Sequence, residues 1–149
     1  MTRINSAIPV KFLTDEHLMA EYREIKRLPD CWKKSVKSGS INKIPAKFTL
    51  GKGHVLFFLN KHKFVFIRCK QLLNECRKRG FNVQNYLGNW TEVQEPTHWL
   101  SYDNTIEERD LLIERISSRI HDSTKQHFHF YGEKITKDEA ILRLKSFTI

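Results

Sequence analysis

The stretch Thr14-Asp-Glu-His-Leu-Met-Ala-Glu-Tyr-Arg-Glu24-Ile-Lys-Arg27 reads as a capped helix. Thr14 offers a hydroxyl to the first turn, and Asp15 and Glu16 suit the positive end of the helix dipole. Leu18, Tyr22 and Ile25, with Met19 and Leu28 alongside, form an apolar stripe at helical spacing. Pro29 then kinks or interrupts the helix, and a further helical turn is predicted from Asp30 to Lys37 before Ser38-Gly39-Ser40. Working outward, residues 39–53 read as loop, and Val55 to Leu59 as a short core helix. Phe64, Ile67, Leu72 and Cys76, with a stop at Gly80, predict a second long helix. Residues 81–102 are irregular. Leu112, Ile113, Ile116 and Ile120 predict a third helix from about Asn104 to His121. After the aromatic run His127-Phe-His-Phe-Tyr-Gly132, a short helix is predicted over Lys137 to Lys145, with Thr136 and Glu139 as a capping box. The pattern is that of an all-α fold: three main helices joined by long loops, in a single compact domain over 1–149.

Length and composition agree with one soluble core. The chain has 149 residues, 40% hydrophobic and 29% charged, and no run reaches the ~18 apolar residues of a membrane span. Three Cys make a disulfide framework unexpected, and with no leader-like N-terminus a cytoplasmic location is expected. The 26 Lys+Arg against 17 Asp+Glu leave a net charge of +9. Residues 1–91 hold 18 basic and 6 acidic residues, whereas residues 92–149 hold 8 and 11. Lys61 to Arg79 alone carries seven basic residues and one acid, Glu75. Such asymmetry predicts a polyanion partner, nucleic acid before membrane.

Most catalytic signatures are absent. There is no phosphate-binding GxxxxGK[ST], no CxxC pair, and no four-ligand metal spacing, so neither metal nor cofactor is expected. The first helix is richer. At about 100° per residue, His17 and Glu24 lie about 20° apart in projection, two turns along. Glu24 and Arg27 are three apart, and Arg23 and Arg27 four apart. One face thus offers an imidazole, a carboxylate and two guanidiniums able to hold phosphates. The same spacing also suits an ordinary solvated face with ion pairs. A second feature is the Met1-Thr2 start, because a small second residue permits removal of Met1. The Thr2 α-amine would then have a reference pKa of about 7.7–8, against about 10.4 for Lys, and be a ready nucleophile toward a sugar carbon.

Met1-Thr-Arg-Ile-Asn5 followed by His17-Leu-Met-Ala-Glu-Tyr-Arg-Glu24 and Arg27 resembles the pyrimidine-dimer DNA glycosylases of the phage endonuclease V family. Leu50-Gly-Lys-Gly-His-Val55, Phe57-Phe58 and Glu75-Cys-Arg-Lys-Arg-Gly-Phe-Asn82 resemble its second block. The resemblance is strong over residues 1–28 and 48–82 and weak from 83 to 126. It implies a glycosylase and abasic-site lyase on an all-α fold, with the N-terminal segment threaded between helices. Thr2 would attack the sugar and form an imine, with Glu24 beside it as the second catalytic residue. Arg3, Arg23 and Arg27 would hold DNA phosphates, and His17 would line the site. The expected partner is double-stranded DNA with damaged bases, flipped out of the stack; a monomer, with no membrane association, is expected.

Three departures stand out. One residue is inserted between Asn5 and His17. The family's Trp-Tyr-x-Tyr-Tyr-Gly segment reads His127-Phe-His-Phe-Tyr131-Gly132. A C-terminal extension of about 17 residues, 133–149, follows. Rival readings are the same amine chemistry on another damaged base or on abasic sites only, a non-catalytic DNA-binding module, and an RNA-binding protein, the last disfavoured by the lack of any RRM or KH signature.

Overall fold

The computed structural model describes residues 4–147. α1 (Asp15–Ile25) begins where the sequence predicts, the Thr14 side chain accepting the His17 N–H. α2 (Leu28–Ser38) follows after two residues, with Pro29 in its first turn, where a missing N–H costs nothing. It ends at Gly39, left-handed at φ 82°. α3 (His54–Phe58) is the short core helix. α4 (His62–Lys78) and α5 (Ile106–Asp122) are the two long helices. A full capping box opens α5, Thr105 accepting the Glu108 N–H and Glu108 accepting the Thr105 N–H. The box expected at Thr136 is only half formed: Thr136 accepts from the Glu139 N–H, but the Glu139 carboxylate takes the Thr136 hydroxyl.

The fold is mostly helical, as the sequence predicts, and carries one small two-stranded sheet besides. The aromatic run folds as a strand, β1 (His127–Phe130), paired antiparallel with β2 (Glu133–Thr136) and followed by α6 (Lys137–Ser146). Phe128 turns inward and His127 and His129 outward, an alternation of period two. Tyr131 and Gly132 make the turn, both with positive φ, 53° and 79°. That twist matches the strands, yet a tyrosine there costs about 1–2 kcal/mol. Asp15 offsets the cost by accepting both turn N–H groups, from Tyr131 at 3.1 Å and Gly132 at 2.9 Å. The rest of the fold is helical, as the sequence predicts.

Two buried surfaces position the site. α1 packs on α4, with Leu18, Tyr22 and Ile25 against Val65, Cys69, Leu72 and Cys76. The segment before α1 runs through the core, with Ile4, Ile8 and Leu13 fully buried. α6 packs on α5 and contributes Ala140 and Leu144 to the same core cluster, so residues 133–146 are built into the fold.

Candidate active site

A cavity of about 250 Å³ opens between α1 and α5. Asn5 comes from the N-terminal segment; His17, Ala20, Glu21 and Glu24 from α1; Arg115, Ile116 and Arg119 from α5. The α1 residues share a flank because positions 17, 20, 21 and 24 follow the i, i+3, i+4, i+7 pattern. Arg115 and Arg119 are an i, i+4 pair and line the opposite wall.

The two carboxylates differ in what surrounds them. Glu21 is buried and doubly bonded by Arg68 of α4, at 2.7 and 3.0 Å. Its charge is matched and its lone pairs are taken. Among the described residues Glu24 has only Arg27, whose Nη1 donates at 3.3 Å from a side chain 64% exposed. An exposed pair of that kind holds its partners weakly. Glu24 is therefore the carboxylate of the cavity free to serve a substrate.

Arg68 also fixes the N-terminal segment. Its Nη1 donates to the Ile8 carbonyl at 2.7 Å and its Nη2 to the Asn5 carbonyl at 2.9 Å. The Ile4 N–H donates to Nε2 of His54 at 2.9 Å, and His54 Nδ1 lies 2.9 Å from the Thr49 carbonyl. These two bonds require the neutral ring protonated at Nδ1, and burial lowers the pKa of His54. Asn104 adds a bond from Nδ2 to the Ser6 carbonyl at 3.0 Å. Four polar contacts thus hold the chain where it reaches the cavity wall.

His17 is a neutral, oriented ring. Burial is the main cause that pushes its pKa down to about 4, with Arg119 and Lys125 adding to it against Glu16 and Glu21. Nδ1 sits 2.7 Å from the Thr14 hydroxyl, and the ring stacks on Phe128 at 5.8 Å between centroids. Arg115 is half-buried, and burial followed by its neighbour Arg119 lowers its pKa. Among the described residues neither Arg115 nor Arg119 has an acid within ion-pair distance. The cavity therefore has a cationic wall facing a carboxylate wall, suited to a phosphate on one side and a developing positive charge on the other.

Of the residues read from sequence, His17 and Glu24 line this cavity, and Arg27 stands at its edge through its bond to Glu24. Arg23 does not join them. Adjacent helical residues point about 100° apart, and Arg23 lies in a groove on the other flank of α1, with Glu16, Met19, Phe81, Lys125 and His129. Thr2 and Arg3 lie outside the described residues. The sequence reading missed Arg115 and Arg119. The surplus of acids in residues 92–149 masked them, although their i, i+4 spacing on an amphipathic helix was a usable signal. It also missed Arg68 and His54, whose partners are 47 to 63 residues away in sequence.

Among the described residues, no group of three or more His, Cys, Asp or Glu side chains is placed to hold a metal ion, and no helix is long and apolar enough to cross a membrane. The family model of pyrimidine dimer DNA glycosylases matches residues 1–87. The chain belongs to that family. The match takes in the N-terminal segment, α1 and α4, which supply Asn5, His17, Glu21, Glu24 and Arg68. It stops before α5, so the cationic wall of this glycosylase's cavity comes from beyond the matched region.

Proposed function

We propose that this glycosylase acts on UV-induced pyrimidine dimers in double-stranded DNA and then cleaves the abasic site through an imine at the Thr2 amine. The observation that carries the reading is the Glu24 carboxylate, held among the described residues only by an exposed Arg27, on the wall that the anchored N-terminal segment reaches at Asn5. Asn5 is three residues from Thr2, so chain length alone keeps the amine within about 11 Å of that wall.

The neutral amine attacks C1′ of the damaged nucleotide's sugar. A C–N bond forms, and the glycosidic bond breaks with its electron pair leaving on the base, which takes up a proton. The sugar ring opens as O4′ gains a proton, giving a protonated imine. Loss of a C2′ proton then expels the 3′ phosphate, and water releases the enzyme. Glu24 stabilises the cationic sugar and carries protons in ring opening and β-elimination. Arg27, Arg115 and Arg119 hold backbone phosphates, with Arg3 and Arg23 as further contacts, and neutral His17 orients the flipped nucleotide. The enzyme works as a cytoplasmic monomer with no cofactor.

A second reading concerns the lesion. The aromatic run is sewn to the body, Tyr131 donating to Glu75 at 2.5 Å and His129 to Glu16, so its rings are arranged differently from a free loop. Preference for another damaged base follows if that segment reads the lesion.

The test is incision and borohydride trapping on a duplex with one site-specific thymine dimer, with other lesions and an abasic site in parallel. Covalent adduct mapped by mass spectrometry to the terminal Thr2 peptide is expected. One residue inserted after Met1 should abolish it. Trapping that survives the insertion, or maps to a lysine, refutes the amine assignment.

A further inference from the structure

Of the seven cations from Lys61 to Arg79 none lines the cavity, and only Arg68 bonds residues that do, Glu21 and Asn5. Four of the seven, Lys63, Lys70, Arg77 and Lys78, are exposed on α4. Lys63, Ile67, Lys70, Asn74 and Arg77 recur at i, i+4, i+7, i+11 and i+14, one straight exposed stripe. The buried positions of α4, from Val65 and Arg68 to Cys76, centre about half a helical turn away and face α1. The stripe therefore faces away from α1, while the cavity opens on α1's α5-facing flank.

The stripe is also free of acid. Among the described residues none of the four cations has a carboxylate within ion-pair distance, and Lys70 lies over the Phe66 ring at 5.7 Å. The one acid of α4, Glu75, is buried and bonded to Arg79 and Tyr131. The groove beside the stripe, lined by Ser6, Pro9, Phe64, Ile67, Gln71 and Asn104 among others, holds no acidic residue. On the other side Glu92, from the turn packed on α4, is bonded by Lys33.

We propose that α4 carries a second surface for the backbone of duplex DNA, separate from the lesion-binding cavity, so that one molecule holds two DNA segments. Charge complementarity names the occupant. Lys63 to Arg77 spans about 21 Å along the helix, the axial length of about six base pairs. Cations about 10 Å apart, with Gln71 and Asn74 between them as hydrogen-bond donors, match a run of phosphates. An enzyme searching long DNA for rare lesions gains a handle for passing between segments.

The test uses undamaged 16-base-pair duplexes and full-length protein, so it does not depend on the glycosylase reading. Sedimentation at low salt should show a species of one protein with two duplexes. The second binding event should have a log–log salt slope of about −3 to −4, set by four cations. Lys63→Gln/Lys70→Gln/Arg77→Gln should lose the two-duplex species, with first-duplex affinity within about twofold of wild type. Only 1:1 complexes for wild type overturn the proposal, as do complexes of two proteins with two duplexes. So does a triple variant whose first event loses about three units of slope, which would put the stripe in the primary footprint. Binding of anionic phosphatidylserine vesicles without a second duplex overturns it in favour of a membrane surface.

Discussion

Replacing His54 should uncouple the N-terminal segment from the site while leaving the cavity residues in place. In His54→Ala the Ile4 N–H and the Thr49 carbonyl both lose partners in a buried region. A buried polar group left unpaired costs about 1–3 kcal/mol. The ring also meets Phe48 and Phe58 edge-on, at 5.5 and 5.3 Å between centroids, contacts worth about 0.5–1.5 kcal/mol each. Relaxation takes some of this back, so a loss of about 3–5 kcal/mol is expected, a large share of a typical domain's stability. His54→Gln keeps an acceptor and loses the rings, so it should retain part of the anchor. Urea unfolding at 10 °C reads the stability. Hydrogen exchange of the Ile4 amide and the rate of borohydride trapping, both under folding conditions, read the anchor. Exchange at Ile4 should rise strongly, and trapping should fall by roughly 10²-fold, the scale of a misplaced reactant. A folded His54→Ala protein with wild-type trapping and a protected Ile4 amide would refute the claim that this imidazole positions the N-terminal segment.

Three further outcomes follow from the same geometry. Glu24→Gln should fold and bind duplex but lose roughly 10²–10⁴-fold in strand cleavage; wild-type incision removes Glu24 from the mechanism. Arg119→Ala and Arg27→Ala should each lower the salt slope of duplex binding by about one, whereas Arg143→Ala, stacked on Phe130, should not change it; an unchanged slope for Arg119→Ala places that wall off the backbone. Stability should fall with acid in two windows. His17 and His62 are lowered from 6.5 to about 4, chiefly by burial, and His54 is lowered too. The rings of His17 and His62 are neutral when folded, so their contribution is complete above pH 6.5 and declines toward pH 4 by about 1.4 kcal/mol per pH unit for each, and that of His54 declines in the same direction. Burial alone would raise Glu16, but hydrogen bonds from His129 and Lys125 outweigh it and hold the carboxyl to about 2; its contribution is present above 4.5 and is lost as pH falls toward 2. Urea midpoints from pH 8 to 3 check both. His62→Phe, replacing a buried ring whose two nitrogens have no partner among the described residues, should flatten the upper window; an unchanged profile refutes the assignment.

The helices were legible where local chemistry sufficed. Thr14 as a cap and the Leu18–Tyr22–Ile25 stripe define α1 within one window, and the same holds for α4. The hairpin was not, because four-residue strands carry little periodic signal and its turn uses Tyr131 where Asn or Asp is usual. Its stability lies in Asp15, over 110 residues earlier. The buried course of residues 4–13 came only through family resemblance, since its anchors, Arg68, His54 and Asn104, are each distant in sequence.

Block charge misled for a related reason. A net charge is a sum along the chain, whereas a field depends on position. Residues 92–149 total −3, yet Arg115 and Arg119 stand across the cavity from Glu24. The most basic run in the sequence turns its exposed cations away from that cavity. The choice between Glu21 and Glu24 shows the limit most clearly. Both lie on the same flank of α1 and both line the cavity. Their roles separate only because Arg68, on another helix, takes both oxygens of Glu21 and also holds the carbonyls of Asn5 and Ile8. One guanidinium thus removes a carboxylate from the chemistry and fixes the segment that leads to the proposed nucleophile. Glu24 is left as the proposed base by a residue that the pattern of α1 alone does not reveal.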